Sequence, residues 1–264
     1  MDNLNISKDT GGQSLIVDHT CTDIKKVPQE AIEKAKAAFK VAYGHTSHGS
    51  QVVAGMEALS KTNPDLFAFG PDAEENGLGL LDCFAPGDLG GDWAALTREF
   101  LGGPEAKDVN LIMWSWCGQV SHATEERIET YLSQMSDLEK GFPNIKFVYM
   151  TGHLDGTGAE GNLNKRNEQI REYCRKNGKV LFDFADIESY DPDGEVNYMA
   201  LGATDGCDYQ DGEETKNWAD DWTAKHPDAM PLPESAAHSR PLNGALKGRA
   251  FWWMLARLAG WEPK

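Results

Sequence analysis

The chain has 264 residues and carries 42 acidic against 25 basic side chains, a formal net charge of −17. At roughly 150 residues per domain, that length gives one or two domains and a core that needs no disulfide framework or structural metal. The charge excludes nucleic acid as a partner, because such binding rests on Lys and Arg neutralising phosphates. An anionic membrane surface is disfavoured for the same reason, and no apolar run reaches the roughly 20 residues of a membrane span.

The first thirteen residues lack the basic and apolar segments of a leader peptide. The expectation is a secreted or periplasmic chain whose leader has been removed, rather than a cytoplasmic one. Residues 31–39 read as a helix, and residues 40–43 as a strand ending in Gly44. A second apolar strand covers residues 110–114. Residues 124–139 have a helical period, with Ile128, Leu132, Met135 and Leu138 on one face, and breaker residues follow from Gly141. Residues 145–150 form a third strand, followed by a glycine-rich loop over 152–161. A helix over 163–176 stops at Asn177-Gly178. A fourth strand over 180–184 and a helix over 245–258 complete the pattern. Between them, residues 190–233 are acidic, aromatic and without period, an irregular insertion near the mouth of the site.

Apolar strands alternating with amphipathic helices imply a single α/β domain, doubly wound around a mainly parallel sheet. Ligands bind such sheets outside the carboxyl ends of the strands. That rule brings together residues 44–50, 115–119 and 151–155, with whatever follows Asp183.

Five cysteines, at positions 21, 83, 117, 174 and 207, show no CxxC spacing, so no zinc knuckle or dithiol motif is present. Cys117 follows a core strand and reads by default as a buried, inert thiol. The acidic runs 191–194 and 205–212 do not match a calcium loop and read as solvated surface. His19, His122 and His226 have no evident partner and read as surface or packing residues. Eight tryptophans fit a site with aromatic walls, although core packing explains them as well. Trp114 and Trp116 flank a strand end, and Trp116 is placed among the candidate substrate contacts.

The segment Gly44-His45-Thr46-Ser47-His48-Gly49-Ser50-Gln51 sits where the first core strand turns into a helix. A serine there becomes a nucleophile only if a base takes its proton and N–H groups stabilise the oxyanion. Near the other end, Ala237-His238-Ser239-Arg240-Pro241-Leu242-Asn243-Gly244 places a histidine in a loop before the last helix. Together these blocks resemble the SGNH (GDSL-type) hydrolase superfamily, in a divergent branch whose first block reads HHSVG. The resemblance implies a flavodoxin-like sheet, Ser47 as nucleophile, His238 as base, and an oxyanion hole at Ser47, Gly90 and the Cys117-Gly118-Gln119 loop. It implies no cofactor and no metal.

The family's third-block asparagine is absent here. Its acid, three residues before the histidine, falls on Ser235; Glu234 is the alternative, or else Ser47 and His238 act as a dyad. Loss of that carboxylate lowers a rate without abolishing the chemistry. A competing reading gathers His45, His48, His153 and Asp155 as ligands of Zn²⁺ or Cu²⁺. Without a metal, the same four side chains line the substrate pocket.

The function expected is hydrolysis of a small-molecule or polysaccharide ester, with acylated carbohydrate as the leading substrate. A glycan-binding relative with an impaired serine site, and a metal-dependent enzyme, are the alternatives. The residues do not specify an oligomeric state.

Overall fold

A computed structural model of the chain describes residues 13–71 and 76–263. The leader reading therefore concerns residues that lie mostly outside those described. The elements run β1 (Leu15–Val17), α1 (Gln29–Ala38), β2 (Lys40–Gly44), α2 (Ser50–Thr62), α3 (Pro64–Phe67), β3 (Phe69–Gly70), β4 (Leu78–Asp82) and α4 (Trp93–Gly102). They continue with β5 (Leu111–Trp114), α5 (Glu125–Gly141), β6 (Lys146–Met150), α6 (Asn162–Lys176), β7 (Val180–Phe182) and α7 (Phe184–Ile187). The last are β8 (Asp208–Asp211), β9 (Glu214–Asn217), α8 (Trp218–Lys225) and α9 (Pro241–Leu258). No described helix is long and apolar enough to cross a membrane.

Seven strands form one sheet in the order β1-β7-β6-β5-β2-β4-β3, parallel throughout. Counted from β2, its five central strands follow the doubly wound flavodoxin-like order 2-1-3-4-5. The fold class read from the sequence is therefore present. The chain winds outward through β4 on one side and returns to wind through β6 and β7 on the other. The reversal falls between β2 and β5, which puts a crevice at their carboxyl ends, after Gly44 and Trp114.

The central strands are buried along almost their whole length, as both-face coverage requires: β5 is buried at every position. Helix α5 starts where Thr124 accepts the Arg127 N–H at 3.2 Å and places Glu125 and Glu126 in the first turn. Helix α9 opens with Pro241, whose missing N–H costs nothing at that position.

Helices α2 and α9 approach closely because glycines face each other. A Cβ on Gly55 would lie 2.0 Å from the Gly244 carbonyl oxygen, and one on Gly248 would lie 2.3 Å from the Gly55 carbonyl carbon. Since α2 begins just after Ser47 and α9 just after His238, this crossing sets two loops side by side.

The region read as an irregular insertion is more ordered than expected. It holds the antiparallel hairpin β8–β9 and α8, packed through Trp218 and Trp222. Its short elements alternate too briefly to show a period. The tryptophans are core residues: seven of the eight are buried, including Trp116, whose indole N–H donates to the Met150 carbonyl at 3.0 Å. Trp116 is thus not a substrate platform, because its ring is buried and packs edge-on against Tyr131 of α5 with centroids 4.9 Å apart.

Candidate active site

Ser47 lies in the turn between β2 and α2, and His238 in the loop before α9. Across 191 residues the His238 Nε2 sits 2.9 Å from Ser47 Oγ. His238 adopts left-handed backbone, φ 61°, rare for a residue with a Cβ. Its loop is fastened from below: Gln51 donates through Nε2 to the Ala237 carbonyl at 2.6 Å. The Gln51 side-chain carbonyl in turn accepts from Lys247 Nζ at 2.5 Å. Lys247 is fully buried and pairs with the equally buried Glu188 at 2.6 Å. Glu188 also accepts the Leu154 backbone N–H, next to His153. One buried ion pair thereby ties α9, α2 and the loop after β6 into a frame beneath the reactive groups.

The glycine after His48 has a steric reason. A Cβ on Gly49 would lie 2.3 Å from Ser115 Oγ and 2.7 Å from the Tyr43 hydroxyl, so the turn seats on the sheet only without a side chain. Tyr43 donates to the Gly49 carbonyl at 3.1 Å and fixes the turn from the strand.

Three imidazoles stack above the sheet. His48 lies between His238, with centroids 4.5 Å apart, and His153, 3.8 Å away with rings 3° from parallel. His48 Nε2 is 3.0 Å from an Asp205 carboxylate oxygen, and its Nδ1 is 3.2 Å from Cys117 Sγ. Burial, with the neighbouring His153 ring, holds the His48 pKa below its ordinary value despite Asp205. Burial works against the Asp205 anion, yet its hydrogen bond to His48, both imidazoles and the Gly206 N–H hold its pKa below the usual carboxylate range.

Several expected roles move. Glu234 is no partner of His238: its carboxylate is 92% exposed and lies 3.5 Å from Lys61 Nζ. The loop geometry turns it outward toward α2. Among the described residues no carboxylate bonds to His238, so Ser47 and His238 form a dyad. His45 turns away from His48, because its Nε2 is held 2.6 Å from Asp82 and its Nδ1 lies 2.9 Å from the Thr46 carbonyl. Asp155 is absorbed in a turn of its own, accepting from Thr157 N and Oγ1.

The expected oxyanion donors are also partly spent. Gly90 N–H donates to Asp88 at 2.8 Å, and Cys117 N–H donates to the Gln119 side chain at 2.9 Å. Gln119 Nε2 and Thr46 Oγ1 reach Asp88 as well, so Asp88 laces three loops together. A Cβ on Gly90 would lie 2.4 Å from Gln119 Nε2, which explains the glycine by packing. The N–H groups of Ser47 and Gly118 have no acceptor among the described residues and remain available.

The four-ligand metal cluster read from the sequence does not assemble. Instead, among the described residues, potential ligand atoms lie within 4.8 Å of one another in three separate groups: His45, Asp82 and Cys83; His48, His153 and Asp205; and Asp18, His19 and Asp186. In the second group the His48 and His153 rings are 3° from parallel with centroids 3.8 Å apart, so their nitrogen lone pairs lie in separate parallel planes. One ion at ~2.0–2.1 Å from each nitrogen cannot lie in both ring planes, and His153 Nδ1 already bonds the Leu154 carbonyl at 2.8 Å.

A cleft of about 360 Å³ is lined by Ser50, Glu57, Asp82, Ser235 and Ala237, chain neighbours of Ser47 and His238, which are not themselves part of its lining. Asp205, Asp88 and Asp82 were not singled out by sequence reasoning. Asp205 belongs to an acidic loop that reads as solvated, and nothing local marks its contact with a histidine 157 residues away. No family model matches the chain, and no curated protein matches it.

Proposed function

We propose that the protein is a serine-dependent ester hydrolase in which Ser47 attacks the acyl carbon and His238 takes its proton. The 2.9 Å contact between Ser47 Oγ and His238 Nε2, at the carboxyl ends of a parallel sheet where its winding reverses, carries this reading. His238 then returns the proton to the departing alcohol, and water repeats the cycle on the acyl-serine. The free N–H groups of Ser47 and Gly118 suit the developing oxyanion.

The substrate class we infer is a neutral acylated carbohydrate. The support for it comes from the cleft and not from the tryptophans, which are committed to the core. Hydroxyls of Ser50 and Ser235 with carboxylates of Glu57 and Asp82 offer hydrogen-bonding partners for a polyhydroxylated leaving group and repel anions.

The test is hydrolysis of p-nitrophenyl acetate and of acetylated xylo-oligosaccharides. Ser47→Ala and His238→Ala are each expected to lower kcat/KM by roughly 10²-fold or more. A fluorophosphonate probe is expected to label Ser47. Labelling at Ser50 instead, or full activity in Ser47→Ala, overturns the reading.

A further inference from the structure

Two thiols among the described residues stand near a histidine that a carboxylate holds: at Cys83 one nitrogen, His45 Nε2, faces both Asp82 and the sulfur, whereas at Cys117 the sulfur and the carboxylate fall on opposite nitrogens of His48. The Cys117 Sγ lies 3.2 Å from His48 Nδ1, and His48 Nε2 lies 3.0 Å from Asp205. Because the Asp205 carboxyl is ionised at neutral pH, it can only accept. His48 Nε2 therefore carries the ring proton, and the Nδ1 lone pair faces the thiol. Burial keeps His48 neutral, so the base is in its working form.

We propose that Cys117, His48 and Asp205 form a second nucleophilic centre, which takes acyl groups from activated esters and thioesters as a thioester on Cys117. The three groups stand as nucleophile, base and orienting acid within hydrogen-bonding reach. In the step itself, Cys117 sulfur bonds to the acyl carbon while His48 Nδ1 takes the thiol proton. The bond to the leaving oxygen or sulfur then breaks, and His48 hands that atom the proton. Water discharges the thioester by the reverse proton route, giving a carboxylic acid and the free thiol.

The surroundings favour access at Cys117 over the buried Cys21, Cys174 and Cys207. Gly118 is exposed, and its unpartnered N–H is next in the chain. A Cβ there would stand 3.8 Å from His153 Nε2, so the missing side chain leaves an approach over the rings. By contrast, burial pushes the Cys21 and Cys207 thiols up to about 12 and makes them poor nucleophiles. Cys83 is exposed, but burial of its sulfur and the Asp82 charge raise its pKa too.

The experiment uses the full chain carrying Ser47→Ala, so that no acyl-serine forms and the outcome is independent of the serine reading. Protein is treated with p-nitrophenyl acetate, or separately with iodoacetamide, and cysteine peptides are quantified by mass spectrometry with Cys83 as internal reference. Cys117 is expected to react roughly a hundredfold faster than Cys83, and its acetyl adduct to be released by neutral hydroxylamine. Adding His48→Gln is expected to abolish that preference. Adding Asp205→Asn, a half-buried position that keeps its shape, is expected to reduce it roughly tenfold or more, with circular dichroism unchanged. Equal rates at Cys117 and Cys83, no acetylation at Cys117, or a preference that survives Asp205→Asn intact overturns the proposal.

Discussion

His238 holds left-handed backbone that costs a residue with a Cβ roughly 1 kcal/mol or more, and the surrounding bonds must maintain it. The chain that does so runs from the Ala237 carbonyl through Gln51 to Lys247 and Glu188. Burial drives the Lys247 pKa down, and the Glu188 charge opposes that shift. Lys247→Met leaves Glu188 buried without its counter-charge and is expected to cost about 3–5 kcal/mol, read as a lower midpoint in urea unfolding. A more exposed pair behaves differently. His19 Nδ1 lies 2.5 Å from Asp186; burial lowers the histidine pKa, but the Asp186 hydrogen bond and charge raise it further, to a net value above 6.5. Asp186 loses some of its anion to burial, yet the same hydrogen bond leaves its pKa below 3.8. The histidine's contribution to stability is therefore full below 6.5 and lost as pH rises through the raised value. The carboxylate's contribution is lost only as pH falls through its own depressed one. His19→Ala is expected to lower Tm most near pH 5 and least near pH 9, as differential scanning calorimetry at both values would show.

At the scale of elements, the crossing of α2 and α9 decides whether the dyad exists. Gly55→Val would drive a side chain into the Gly244 carbonyl. The helices are expected to separate, at a cost of about 1–3 kcal/mol and most of the proposed esterase activity. Circular dichroism and p-nitrophenyl acetate turnover on one preparation check both. This level also shows what the sequence made legible. Long periodic or apolar runs such as α5, α6 and β6 read correctly within a few residues. The short edge strand β1 and the strand β4 went unread. β1 has three residues, and β4 contains Gly79, so neither offers a run long enough to show alternation. The blocks around Ser47 and His238 were legible because each is a dense local cluster of reactive residue types. Asp205, Asp88 and the Lys247–Glu188 pair were not, since each acts through a partner distant in the chain and its local sequence is ordinary for a surface.

For the whole molecule the excess of acid matters most. A formal charge of −17 and the carboxylates of Glu57 and Asp82 at the cleft set up a negative field at the proposed point of substrate entry. A neutral ester such as p-nitrophenyl acetate is expected to be hydrolysed at a kcat/KM that hardly changes between about 0.01 and 0.2 M salt. An anionic ester of the same leaving group is expected to be a poorer substrate that improves severalfold over that range, as screening shortens the field. A rate for the anionic ester that falls with added salt would place the entry path on a different face.

The distance of 191 residues between hydroxyl and imidazole has a consequence for how the protein comes into being. A ribosome releases Ser47 and every strand of the main sheet before it adds His238 and α9. A nascent chain thus carries the proposed nucleophile for most of its synthesis with nothing to deprotonate it, and premature termination before α9 leaves it inert.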